Sequence, residues 1–262
     1  MILHTSALHY LVKELKVRID EMTWFEIKEA LEAGKKTVIV PIGSIEQHGP
    51  HLPEGTDTFA GDIIAEKIAL KLGNALVAPT IRPGCSQHHM EFPGTITLTP
   101  ETLMQVIREV CYSLASHGFK NIVLLPTHGG NFAPTATVAP EIARELRDVN
   151  IIALTDLKEL IVKMNEVMAE YGVNFEDAGA HAGASETSLM LAYKEELVRM
   201  DLAKRGYTGK YTTSQLFRKG LKAFSEIGVL GDPTKASKEA GLKMIDILAE
   251  FYANKIKKEI EL

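Results

Sequence analysis

Residues 37–57 read TVIVPIGSIEQHGPHLPEGTD. The first five, 37–41, are an apolar and largely β-branched run, which predicts a buried strand. The residues after it are polar and rich in glycine and proline, which fix an irregular backbone of the kind that carries sites. In open α/β sheets ligands bind beyond the carboxyl ends of the strands. Glu46 and His48 are two apart, so in an extended segment both side chains point the same way. A carboxylate beside an imidazole is what a Zn-, Mn- or Fe-type ion takes. A lone Glu-x-His would more simply be a surface pair, but the buried run ahead of it argues for a site. Asp57 precedes a helical pattern, where it either caps the helix or serves as a third ligand. Two ions held close together need a bridging carboxylate, and Asp57 is the candidate.

Outward from this stretch, 75–78, 121–126 and 151–154 are further short apolar runs and predict three more strands. Helical patterns lie between them. Thr23 and Glu26 have capping-box spacing ahead of a helix that Gly34 stops. Phe59, Ile63, Ile64, Ile68 and Leu72 share one helical face, closed by Gly73. Thr99-Pro100 opens a helix striped by Leu103, Ile107, Val110, Cys111 and Leu114, which Gly118 ends. Residues 139–148 and 185–193 predict further helices, the first broken upstream by Pro134 and Pro140. Residues 237–258 predict a terminal helix with Leu242, Ile245, Leu248, Tyr252 and Ile256 on one side. The segment 203–227 is mixed and reads as a lid or an oligomer arm. Strands that are continuous apolar runs alternating with helices imply an α/β fold: one domain over 1–262, with a mainly parallel sheet flanked by helices on both faces.

Three further clusters carry chemistry. Residues 127–131, THGGN, follow the 121–126 strand, as the first cluster follows its own. There His128 can bind an ion, Gly129 and Gly130 let the backbone approach a ligand, and Asn131 either bonds substrate or caps the next helix. Residues 179–188 surround His181 and Glu186 with small residues. His181 suits proton transfer, and Glu186 either completes a metal shell or favours a helix start. In 85–95, His88 and His89 read as pocket residues, and at most one of them faces an ion. His51 is expected to line the same cleft. Nothing nearby marks Cys85 as an activated nucleophile, Cys111 reads as core, and Trp24 as packing.

The composition excludes several classes. The chain has 262 residues, 29 Lys+Arg against 34 Asp+Glu, a net charge of −5, nine His and two Cys. It has no basic block for nucleic acid and no apolar run near the roughly 20 residues of a membrane helix. Two cysteines make no disulfide framework, and the start MILHTSALHY does not read as a secretory signal, so a cytoplasmic protein is expected.

SIEQHGPHLPEGTD (44–57), SQHHMEFPGT (86–95), THGGN (127–131) and HAGASETS (181–188) together resemble the creatininase (creatinine amidohydrolase) family. The resemblance runs from about residue 38 to 193. It implies an α/β fold around two divalent ions per subunit (Zn, Mn or Fe) and hydrolysis of a C–N amide bond. It makes Glu46, His48, Asp57 and His128 the metal ligands, with Asp57 bridging, Glu186 a further carboxylate and His181 the proton carrier. The implied substrate is a small amide, formamide or cyclic amide, attacked by hydroxide generated between the ions. The oxyanion would be held at the Gly129-Gly130-Asn131 turn, with His51 and His89 beside the substrate. Relatives include creatinine hydrolases, formamide hydrolases and a peptidase of mycofactocin maturation; the last is the alternative activity, and a non-catalytic metabolite-binding relative is another. Homo-oligomers, including hexamers, are implied. The chain departs from creatinine hydrolases at Gly130 and Ala180, where they carry glutamate, and in having a single Trp. Those departures argue against creatinine as substrate.

Overall fold

The computed structural model describes residues 16–261; His4 and His9 lie outside them. Strand β1 (Thr37–Ile42), β2 (Ala75–Val77), β3 (Asn121–Pro126) and β4 (Asn150–Ala153) form one sheet in the order β2-β1-β3-β4. Every neighbouring pair is parallel. The expected strands are thus present, with ends shifted by a residue at β1, β2 and β4. In the register of β1 with β3, Ile42 lies opposite Pro126. Both strands therefore end at the same level, and residues 43–57 and 127–131 emerge side by side.

Alternate side chains of the central strands enter different cores, as the pleat requires. Val38, Val40, Ile42, Ile122 and Leu124 face α1 (Trp24–Glu32), α3 (Pro100–Ser116, after α2) and α4 (Phe132–Glu145). Ile39, Val123 and Leu125 face α2 (Thr56–Leu72), α5 (Leu157–Glu170), α7 (Ala184–Tyr193) and α9 (Lys238–Glu261). The short α6 (Phe175–Ala178) leads into α7, and α8 (Thr213–Lys219) lies in the mixed segment. Both faces are covered, which is why the strands are apolar throughout. No described helix is long and apolar enough to cross a membrane.

The helix signals act as their chemistry predicts. Thr23 and Glu26 form the reciprocal capping box, and Thr99 caps α3 with Pro100 in the first turn. Gly73 ends α2 in the left-handed region at φ +76°. Other expectations need correction. Helix α4 starts at Phe132 rather than at 139. Pro134 falls in its first turn, where the missing N–H has no partner to lose. Pro140 lies inside, and the helix continues because Val138 and Ile142 are buried against the sheet. Helix α5 is absent from the sequence reading altogether. Segment 203–227 holds α8, opened by a Thr212–Gln215 capping box. Leu242 is exposed rather than on the packed side of α9, and Trp24 is 76% exposed rather than packed.

Candidate metal centre

The site begins with how α2 meets the strand ends. A side chain at Gly43 would come within 2.8 Å of the Thr58 Cα, so only glycine lets the first turn of α2 close on the end of β1. Three hydroxyls then tie that turn down. Ser44 Oγ donates to Asp57 Oδ2 (2.7 Å), Thr58 Oγ1 to the Ser44 carbonyl (2.8 Å), and Thr127 Oγ1 to the Asp57 carbonyl (2.8 Å). Asp57 is buried in the first helical turn, where the helix dipole favours its charge.

The donors around it form two sets. Asp57 Oδ1 is 3.4 Å from His48 Nε2, and Oδ2 is 3.1 Å from His128 Nδ1. Glu46 Oε1 stands 3.2 Å from His128 Nδ1, and Glu186 Oε2 stands 3.8 Å from His48 Nε2. Glu46, Asp57 and His128 thus gather as one three-donor group, and His48, Asp57 and Glu186 as a second, sharing Asp57. A third grouping joins Glu46, His48 and His181.

Tautomers can be assigned from the outer contacts. His48 Nδ1–H donates to the Glu46 carbonyl (3.0 Å), and His128 Nε2–H donates to the Cys85 carbonyl (3.0 Å). Each ring therefore turns its other nitrogen inward, as second-shell partners do for metal-binding imidazoles. Inside, acceptors face acceptors: both Glu46 carboxylate oxygens and His48 Nε2 are buried with no hydrogen-bond partner. Such an arrangement is costly unless cations stand between the groups. The residues present fit a pair of divalent ions.

Without ions, protons must fill the gap. Burial acts to lower the His48 pKa, but Asp57, Glu186 and Glu46 outweigh it and raise the ring to about 10. His128 is raised well above its usual range, because Glu46 and Asp57 outweigh its burial. Burial works against ionisation of Asp57 too, yet His48 and His128 hold it well below the carboxylate range. Burial pushes Glu186 up to about 7 despite the nearby His48.

Gln47 orients two more imidazoles. His181 Nε2–H donates to the Gln47 carbonyl (2.8 Å), leaving Nδ1 facing Glu46 Oε1 at 3.7 Å. The Gln47 amide oxygen accepts from the Gly49 N–H (2.9 Å), so its nitrogen donates to His89 Nδ1 (2.9 Å). His89 then carries its proton on Nε2, 3.4 Å from Glu46 Oε1. Burial, with His48 nearby, holds His181 well below its usual range and therefore neutral. Ala182 adopts φ +52°, rare for a residue with a side chain, and its N–H donates to Glu186 Oε2. That turn sets His181 and Glu186 on the same site.

The other expected residues are placed differently. His51 is buried outside the cavity lining, with Nε2 2.9 Å from Thr187 Oγ1, so it braces α7 beside Glu186. Asn131 is fully buried. Its amide nitrogen donates to the Ile42 and Gly43 carbonyls, its oxygen accepts from the Cys85 N–H, and its own backbone N–H is taken by His128. It bolts the two strand ends together and has no donor left for a substrate. Gly129 lines the cavity and Gly130 does not. A Cβ at Gly130 would lie 2.1 Å from the Cys85 carbonyl oxygen, so no glutamate fits there; Glu186, from α7, is the carboxylate that joins Asp57 near His48. His88 and His89 both line the cavity, and the His88 ring meets Phe217 edge-on at 4.5 Å. Burial raises the Cys85 thiol, which disfavours the reactive thiolate. Sequence reasoning missed Gln47, Ala182 and the whole contribution of α5. For α5 the signal was present: Asp156 caps it and accepts from the Glu159 N–H.

The cavity lined by Glu46, Asp57, His128, His181 and Glu186 has a volume of about 200 Å³. The chain is similar, at 32% identity over 228 residues (84% of each chain), to the mycofactocin precursor peptide peptidase of Mycolicibacterium smegmatis. It is 25% identical over 256 residues to the creatinine amidohydrolase of Pseudomonas putida, covering 93% of this chain and 97% of that one. Solved creatininase structures, one a manganese form and one of Zn–Zn type, match with TM-score 0.80 and 26% identity over 93% of this chain and 98% of theirs. The family described as creatinine amidohydrolase matches residues 20–256, which include every donor described above. With that span and a shared fold, the chain belongs to the creatininase family of hydrolases.

Proposed function

We propose that the protein hydrolyses the C–N bond of a small amide, formamide or cyclic amide with the help of two divalent ions. The observation that carries this reading is the division of Asp57, one oxygen toward His48 and the other toward His128, with Glu186 and Glu46 completing the two sets. Imidazole and carboxylate donors accept Zn, Mn or Fe. When bound, such ions supply Lewis acidity for an amide carbonyl and acidify water.

The chain's own residues do the rest. His181 has its Nε2 proton committed to the Gln47 carbonyl. Its Nδ1 therefore takes a proton inside the cavity and delivers it to the leaving nitrogen. His89, held by Gln47, sets its Nε2 3.4 Å from Glu46 Oε1. Gly129 lets the backbone approach the reacting carbonyl. The assembly in this reading is a homo-oligomer of up to six chains.

A second reading, a metal-dependent peptidase, is favoured by the 32% identity to the mycofactocin precursor peptide peptidase. Metal analysis joined to an activity screen over creatinine, formamides, hydantoin-like rings and short peptides tests both. About two ions per chain and turnover lost on chelation are expected. Full activity in demetallated protein would overturn the proposal.

A further inference from the structure

The titratable donors crowd one end of the cavity. The other is walled by Leu157, Leu160, Ile161 and Met164 of α5, facing Leu248 and Tyr252 of α9. The α5 residues fall at i, i+3, i+4 and i+7, the spacing of a stripe that normally packs into a core. Here each of the four is only half-buried, whereas Val167 and Met168, one turn on, are buried in the core. The stripe is therefore fully packed in its second half, while in its first half Leu160 and Met164 lean on the core with part of their surface and all four residues border the cavity. No charged side chain lines this end; its one polar side chain on α5 is Asn165, whose Oδ1 is buried without a partner.

A largely apolar helix face that borders a cavity, continuous with a polar cluster, is the usual form of a substrate pocket. Size narrows the occupant. Apolar cavities of about 150 Å³ hold a benzene ring, and this one measures about 200 Å³ with its polar end included. We propose that the α5–α9 chamber is a specificity site for an apolar arm of the substrate, of branched-aliphatic to phenyl size, attached to the amide held at the metal end. This rests on the amidohydrolase reading for the identity of the reacting group, but the chamber itself is a matter of binding.

The test compares acetamide with phenylacetamide on the metal-loaded protein, both by calorimetric binding and by turnover. Phenylacetamide should bind on the order of ten- to a hundredfold more tightly, the gain expected for burying a phenyl ring. Ile161→Asp and, separately, Met164→Lys place a charge in the chamber and should erase that preference while metal content stays at the wild-type value. Val162→Asp, on the exposed side of the same helix, controls for damage to α5 and should keep the preference. Equal binding of the two amides by the wild type overturns the chamber. So does a preference that survives both chamber variants. If phenylacetamide is preferred in binding and neither amide is cleaved, the chamber stands and the simple-amide reading falls.

Discussion

At the end of the cavity that holds Glu46, Asp57 and His128, each side chain is buried, Ser44 donates to Asp57, and His48 and His128 are tied to backbone carbonyls. At the end lined by Leu157, Leu160, Ile161 and Met164, the side chains are half-buried and nothing directional holds them. The first end rises from the carboxyl edges of β1 and β3, the most buried part of the sheet. The second belongs to a single helix at the side. The contrast separates two tasks. Directional bonds fix where a reaction happens, because donors misplaced by an ångström lose most of their effect. Apolar walls choose among substrates by shape and area, and they tolerate change.

The sharpest way to break the comparison is at Asp57. Asp57→Ala removes the one group shared by both donor sets, so neither ion should be retained and activity should fall to background, read by metal analysis and an amidase assay. Next in size is His181→Ala. It should lower kcat by roughly 10²–10⁴-fold, as loss of a proton carrier does, with both ions still bound. An equal loss of metal would instead make His181 a ligand, as its grouping with Glu46 and His48 allows. Smaller again is Gln47→Glu. The new carboxylate would accept from His89 Nδ1–H, reverse that tautomer and turn a lone pair toward Glu46. Metal affinity should drop about 10–100-fold, and ¹⁵N spectra of the metal-free protein should report the switched His89 nitrogen.

pH sharpens the same contrast. In the metal-free chain His48 titrates near 10, above the usual 6.5. Its contribution to stability is therefore fully present below about 6.5 and lost as pH rises through about 10. Thermal melts should show the metal-free protein losing stability across that window, while the loaded protein, with neutral His48, keeps it. The smallest expected effect lies far from either end: Thr23→Ala at the α1 cap should cost about 1 kcal/mol in denaturant melts and leave turnover unchanged.

Much of the polar end was legible in the sequence because its groups sit in short runs directly after apolar strands, and strand runs are strong signals. Asp57 and His128 could be read this way, whereas Glu186 was marked only by the small residues around it. What could not be read is which way a side chain turns once packed. His51 and Asn131 have the chemistry of site residues, but burial commits one to Thr187 and the other to strand-end backbone. Gly130 looks like a residue that opens space, whereas contact with Cys85 leaves none. The α5 stripe was present in the letters at helical spacing, yet only the tertiary arrangement shows half of it facing a cavity.

The three hydroxyls of Ser44, Thr58 and Thr127 that pin the first turn of α2 carry no charge at any ordinary pH. The donor groups they support do titrate. A fall in pH should therefore empty the centre by competition from protons while the frame beneath it keeps its shape. Unloading and reloading would then be a reversible exchange on a preformed socket, with no refolding step to slow recapture when the pH is restored.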